Sequence, residues 1–168
     1  NHFYKREKSL YEVDNSYEGF DFIDPHNESQ SIVTLMRKAK DPKEFIIAVL
    51  NFTPNVYYDY KIGVPFLGVY EEVLNSDDDK YWGSNQTMKN SELHAQDSNW
   101  HNQPYHIKIK VPPMGATFIK LKKIYDPIEL EDNKVDDTKL KNNTKLKNNK
   151  VDNTKTKNKK VNNTKAKN

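Results

Sequence analysis

Short apolar runs, separated by turn residues at a regular spacing, restrict the fold of this chain more than any other feature. Most of the seven runs begin 11 to 14 residues apart, at Gly19, Ser31, Phe45, Tyr58, Val69, Ile107 and Thr117. Proline or glycine separates many of them, as in Asp41-Pro42, Thr53-Pro54 and Pro112 to Gly115. This rhythm predicts an all-β protein, an antiparallel β-sandwich of about seven to eight strands with Greek-key-type connections.

The character of the runs predicts which strands lie at the centre of a sheet. Residues 31–37 and 45–50 are apolar on both faces, as strands buried on both sides are. Residues 58–62 and 107–111 instead alternate with polar side chains and predict strands with one solvent face. Ahead of them, residues 3–11 space their apolar side chains at three and four, which predicts a short N-terminal helical turn.

The last 44 residues form a repetitive tail rich in Lys and Asn. A ten-residue unit recurs at 133–142, 149–158 and 159–168, with a partial copy at 143–148. One or two small apolar side chains per unit cannot offset backbone ordering at about 1 to 2 kcal/mol per residue. We therefore expect a disordered C-terminal tail at 125–168, a β-sandwich domain at 15–124, and a separate leading segment at 1–14.

The net charge of +3 belongs to this tail. Residues 125–168 hold 12 basic and 7 acidic side chains, whereas residues 1–124 hold 15 and 17. The folded part therefore has no basic excess for neutralising phosphates, and the tail, whose one aromatic residue is Tyr125, has too few rings for stacking on bases. We expect no nucleic-acid partner. No run approaches the roughly 20 apolar residues of a membrane span, so we expect a cytoplasmic protein with no membrane partner.

One segment interrupts the regular spacing of the predicted strands. About thirty residues, from Asn75 to Tyr105, are predicted to form a polar loop. Loops longer than roughly 12 to 15 residues are usually functional or disordered. This one holds or borders four aromatic residues that could stack on sugar rings, Tyr81, Trp82, Trp100 and Tyr105. The alternative is that these rings are buried, over the edge of the sandwich or against a neighbouring domain. The spacing leaves both open.

Other residue types give no site. The chain has no cysteine, so thiolate metal sites and cysteine nucleophiles are excluded. His94, Asp97 and His101 match no helical zinc motif. The acidic side chains at 71–72 and 77–79 are expected to be hydrated, on turns and on the solvent-facing sides of strands. We expect no catalytic residue, no metal site and no cofactor in this chain.

Eight strings, in order, resemble a known family. They are Phe3-Tyr4-Lys5-Arg6 with residues 9–14, Gly19-Phe20-Asp21-Phe22-Ile23, residues 31–37, Asn51-Phe52-Thr53-Pro54, Tyr60-Lys61-Ile62-Gly63-Val64-Pro65, residues 70–77, Tyr81-Trp82-Gly83-Ser84-Asn85 and Pro112-Pro113. Together they resemble the C-terminal β-domain of bacterial 1,4-α-glucan (glycogen) branching enzymes, over roughly residues 3 to 122. The chain departs from the family's usual pattern at Lys8, Asn55, Tyr57 and, where glycine is usual, Trp82.

The resemblance implies a parent enzyme of the α-amylase superfamily. Such an enzyme cuts an α-1,4-linked glucan and transfers the piece to a C6 hydroxyl through a covalent glycosyl-enzyme. Its catalytic carboxylates belong to a barrel upstream, so the resemblance implies no catalytic residue here and predicts that this chain alone is inactive. The expected partners are that barrel, which the domain would brace, and weakly bound α-glucan; residues 1–14 would be the remnant of the last barrel helix. A free-standing carbohydrate-binding module is the alternative.

Overall fold

Eight strands and one short helix make up the described part of the chain. The computed structural model describes residues 1–126. Helix α1 is His2–Arg6, and 3-10 turns follow at Lys8–Leu10, Tyr17–Gly19 and Asp79–Tyr81. The strands are β1 Phe20–Asn27, β2 Ile32–Lys38, β3 Phe45–Asn51, β4 Tyr57–Val64, β5 Gly68–Asn75, β6 Leu93–His94, β7 Tyr105–Val111 and β8 Ala116–Ile124.

The strands form two antiparallel sheets. One has six strands in the order β1-β2-β3-β8-β5-β6, and the other pairs β4 with β7. The chain crosses from the large sheet to the small one after β3 and again after β6, so that β8 returns to lie between β3 and β5. These non-sequential neighbours are the kind of connection expected of a Greek-key-type sandwich, and the all-β antiparallel prediction is confirmed.

The core lies between the two sheets. The inner face of the large sheet contributes Ile32, Ile47 and Ile119, all at most 1 % exposed. The small sheet closes over them with Ile62 and Ile107, both fully buried. Strand β3 is buried on both faces along most of its length, as its continuous apolar run predicts.

The N-terminal segment covers part of the outer face of the large sheet. The ring of Phe3 contacts that of Phe118 edge to face, with centroids 5.5 Å apart. Glu7, only 4 % exposed, accepts a 3.0 Å hydrogen bond from Nζ of Lys120. Arg37 pairs with Asp14 farther along the segment. Residues 1–14 therefore pack on the same compact unit as the strands, which extends to residue 124.

All seven predicted strands are present, and the helical turn lies where the apolar spacing placed it. Strand β6 was missed because two residues are too short to show an alternation. The expected disordered tail lies, apart from its first two residues, outside the described residues. In residues 1–126 no helix has the length and apolar character that crossing a bilayer requires.

Candidate functional site

The turn that follows β5 is built around the side chain of Asp77. Its carboxylate accepts hydrogen bonds from the backbone N–H of Ser84 at 2.8 Å, from the Ser84 hydroxyl at 2.8 Å and from the N–H of Gln86 at 2.8 Å. Burial raises the pKa of Asp77, but these hydrogen bonds outweigh it and hold that pKa below its ordinary value. Gly83 lies so close that a Cβ there would be 2.2 Å from the Asp77 carbonyl.

Asp78 fixes the next part of the same turn. The side chain is 2 % exposed and accepts the N–H of Lys80 at the start of the 3-10 turn. The Lys89 ammonium, 2.7 Å away, is the main reason that the pKa of Asp78 lies far below its ordinary value. The expectation that residues 77–79 are hydrated turn carboxylates is therefore wrong for Asp77 and Asp78. Their hydrogen-bond donors lie up to eleven residues downstream, so the neighbouring residues in the sequence do not predict that these two carboxylates are buried.

The turn presents two aromatic side chains to solvent. Trp82 is 98 % exposed and adopts a left-handed backbone conformation, with φ 67° and ψ 22°. This conformation costs a non-glycine residue roughly 1 to 2 kcal/mol, and the exposed indole gains no burial in return. Tyr81 is half-exposed, with the Lys80 ammonium 4.9 Å from its ring centroid. Trp82 is thus the flat surface most open to a ligand.

The other two aromatic candidates belong to a different part of the fold. Trp100 is partly covered: its Nε1 donates a 3.1 Å hydrogen bond to the Lys61 carbonyl, and the Lys61 ammonium lies 5.2 Å from its ring. Gly63 makes this approach possible, since a Cβ there would lie 2.2 Å from the Trp100 carbonyl oxygen. Tyr105 is half-buried and packs against the core.

The four predicted aromatic residues therefore do not form one platform. Tyr81 and Trp82 follow β5 in a turn whose Asp77 feels the charge of Lys110, near the end of β7. Trp100 and Tyr105 precede and begin that strand. At about 3.3 Å per residue, the seven residues of β7 span roughly 20 Å. The structure therefore separates the candidates into an exposed pair, Tyr81 and Trp82, and a second pair, Trp100 and Tyr105, whose side chains contact β4 and the core.

Comparisons with known proteins decide the family. Residues 22–122 match the family model described as the α-amylase C-terminal all-beta domain. The chain belongs to this family. It is 49 % identical over 121 residues to a 1,4-α-glucan branching enzyme of Halothermothrix orenii and 44 % identical over 121 residues to that of Oceanobacillus iheyensis. The enzyme of Francisella philomiragia is 47 % identical over 123 residues.

These matches cover a limited part of the relatives. They take in 71 %, 72 % and 73 % of this chain, but the chain spans only about 19 % of the length of each of the three enzymes. The matches confirm the resemblance that the eight strings indicated. The chain is the C-terminal all-β domain of this family, and it aligns with one end of much longer proteins.

In this α-amylase C-terminal domain, the sequence did not predict the buried polar contacts that join distant parts of the chain. Glu7 at the N-terminus meets Lys120 across 113 positions, and no local pattern signals such a pair. His101 Nε2 lies 3.4 Å from the Asp24 carboxylate; burial lowers the pKa of His101, and Asp24 partly opposes that effect. Among residues 1–126, no three His, Asp or Glu side chains are grouped to hold a metal ion.

Proposed function

We propose that this chain is the non-catalytic C-terminal domain of a 1,4-α-glucan branching enzyme and that it braces the catalytic barrel. The observation that carries the proposal is the 49 % identity to an enzyme of that name, confined to about 19 % of the enzyme's length. The parent reaction is the transfer of α-1,4-glucan segments to C6 hydroxyls. In this organisation 1–14 is the remnant of the last barrel helix, 15–124 the β-sandwich and 125–168 the tail, in a cytoplasmic enzyme.

The best-buried carboxylates of the domain support a structural role, because each is held by protein donors. Asp77 is held by Ser84 and Gln86. Asp78 accepts the Lys80 N–H at 3.1 Å and pairs with the Lys89 ammonium at 2.7 Å. A carboxylate already satisfied in this way is poorly placed to attack a sugar or to protonate a leaving oxygen. The transfer chemistry is therefore assigned to the barrel.

A domain exchange tests this function. The 168-residue chain replaces the matching 121-residue region of the Halothermothrix orenii enzyme, and branch formation on amylose is followed by chain-length analysis after debranching. We expect the chimera to form branches and the purified chain alone to form none. Branch formation by the chain alone would contradict the assignment, as would a folded chimera that forms none.

The exposure of Trp82 favours a second role, weak contact with α-glucan. An indole that is 98 % exposed in a left-handed conformation adds strain and no packing, and backbone strain of this kind clusters at functional sites. Tyr81 lies beside it, whereas Trp100 and Tyr105 are engaged by Lys61 and by the core. If glucan is bound, we propose Trp82 as the principal contact.

Titration with maltoheptaose tests this contact. A stacked sugar should change tryptophan fluorescence with a Kd near or above about 1 mM, roughly 4 kcal/mol. Trp82→Ala should abolish the change, and Trp100→Phe, which keeps an aromatic ring at the other tryptophan, should preserve it. A response that survives Trp82→Ala, or the absence of any response in the original chain, would contradict glucan contact at this turn.

A further inference from the structure

The solvent face of the small sheet carries two lysines directly opposite each other. Strand pairing aligns Lys61 of β4 with Lys108 of β7, and both side chains are exposed. The adjacent residues Ile62 and Ile107 are fully buried, so the two lysines point away from the core. Directly opposed residues have Cβ atoms about 4.5 to 5.5 Å apart, and like charges in such a pair repel each other. Two positive charges are thus held close together on one sheet.

No acidic side chain of residues 1–126 neutralises this pair. The ion pairs in that part of the chain use other cations, and neither Lys61 nor Lys108 meets a carboxylate. Lys110 on the same face of β7 is different, because its charge acts on the carboxylate of Asp77. The Lys61 ammonium lies 5.2 Å from the ring centroid of Trp100, but an aromatic ring attracts a cation without neutralising it. The two charges therefore remain available to an anion.

The indole of Trp100 is held in a fixed position beside these charges. Its Nε1 donates a 3.1 Å hydrogen bond to the Lys61 carbonyl. Its backbone exchanges two hydrogen bonds with that of Gln103, at 3.0 and 2.9 Å, and the next residue, His101, lies 3.4 Å from the Asp24 carboxylate. The Trp100 side chain nevertheless remains 43 % exposed. A ring that is fixed before binding loses little conformational entropy when a ligand stacks on it.

We propose that Trp100, Lys61 and Lys108 form a binding site for a hexose phosphate. The apolar face of the sugar ring packs on the indole, and the two ammonium groups bind the phosphate as point charges. The choice of a hexose rests on the proposed function, in which the parent enzyme acts on a glucan. A free sugar phosphate and a phosphate ester on a glucan chain both offer this chemistry. Two lysines and one ring suit a single small anion, whereas nucleic acid is bound through many phosphate contacts.

Fluorescence titration tests the site in the 168-residue chain carrying Trp82→Ala, because Trp100 is then its one tryptophan. Glucose 6-phosphate should change the emission with a Kd on the order of 1 mM, and glucose should bind at least about tenfold more weakly. Lys61→Gln and Lys108→Gln should each raise the Kd by about fivefold, as expected for the loss of one charge contact in water. Lys43→Gln is the matched control, since Lys43 is exposed in the turn between β2 and β3, and it should leave the Kd within about twofold.

Maltoheptaose phosphorylated at C6 distinguishes the two sources of the ligand. Tighter binding than that of glucose 6-phosphate would identify a phosphorylated glucan, and equal or weaker binding the free sugar phosphate. Inorganic phosphate that binds as tightly as glucose 6-phosphate would overturn the sugar contact, and a uridine oligonucleotide that binds more tightly would make the ligand a nucleic acid and the proposal wrong. The absence of a response to glucose 6-phosphate, or an equal loss in Lys43→Gln, would also overturn the site. None of these outcomes affects the domain exchange, which tests the proposed function separately.

Discussion

The two faces of the six-stranded sheet differ in how they are covered, although β3 is apolar on both. On the inner face, Ile47 and Val49 are fully buried under the small sheet. On the outer face, Ile46 and Ala48 are also buried, but within residues 1–126 the cover there is the short N-terminal segment, and Phe22 at the same level as Ala48 remains 54 % exposed. Within residues 1–126 the two faces of the sheet are therefore covered unequally.

The largest difference between the two faces should appear in side-chain truncations. Ile47→Ala removes a fully buried side chain from the closed core and should lower the free energy of unfolding by about 3 to 4 kcal/mol. Ile46 is equally buried, but the N-terminal segment that covers it can move into the cavity left by truncation. Ile46→Ala should therefore lower the free energy of unfolding by about 2 kcal/mol. Urea unfolding of the 168-residue chain measures both. Equal losses would mean that the N-terminal segment is as rigid a cover as the small sheet.

A smaller effect is expected at the ion pair that holds the N-terminal segment. Glu7→Ala leaves Lys120, which also pairs with Glu44, without its buried partner, and should cost about 1 to 3 kcal/mol. The solvent-exposed pair of Lys122 with Glu92 offers the control, since Glu92→Ala should cost less than about 1 kcal/mol. Thermal unfolding of the two variants side by side makes the comparison, and a Glu7 loss no larger than the Glu92 loss would show that the segment is only loosely attached.

Acid should weaken the N-terminal attachment and the turn after β5. Burial raises the pKa of Glu7, but Lys120 and Arg6 outweigh it and the net pKa is lowered; that of Asp77 is lowered as well. Groups with a lowered folded-state pKa contribute stability above their unfolded pKa values of 4.5 and 3.8, and this stability is lost as pH falls through the folded values.

The melting temperature of the chain should therefore be flat from pH 7 to about pH 5 and fall below about pH 4. Asp77→Asn should flatten part of that fall. If the Asn variant showed the same acid dependence as the original chain, Asp77 would not contribute to the loss of stability in acid.

The smallest stability effect is expected at the exposed turn. Trp82→Ala should change the free energy of unfolding by less than about 0.5 kcal/mol, since the side chain is 98 % exposed. Trp82→Gly should raise it by up to about 1 kcal/mol, because glycine tolerates the left-handed conformation. A loss of several kcal/mol in Trp82→Ala would show that the indole packs against the domain.

The strands could be predicted from sequence because alternation and turn residues act locally. Tyr58 shows the limit: alternation groups it with Tyr60 and Ile62, but a bulge with Asp59 at φ 54° turns it outward to 68 % exposure. Such a bulge depends on how β4 pairs with β7, where Tyr60 lies opposite Ile109, and the sequence of a single strand carries no sign of it.

The candidate site was only partly predictable for the same reason. The aromatic enrichment of the segment from Asn75 to Tyr105 was visible, but its division into an exposed and a held pair depends on Lys61 and Gly63 of β4. The burial of Asp77 depends on donors seven and nine residues downstream. The resemblance to branching enzymes identified the family where local patterns could not.

A charge placed on each sheet tests whether the domain braces a catalytic barrel, as proposed, through the partly exposed outer face of the large sheet. Phe22→Asp and Tyr58→Asp are compared in the 168-residue chain and in the chimera, by the melting temperature of the chain and the half-life of branching activity at elevated temperature. Both variants should leave the melting temperature of the chain within about 2 °C. In the chimera, Phe22→Asp should shorten the half-life by about tenfold or more, as a buried unpaired charge does, while Tyr58→Asp leaves it unchanged. Equal half-lives for the two variants would show that Phe22 lies outside any contact with the barrel.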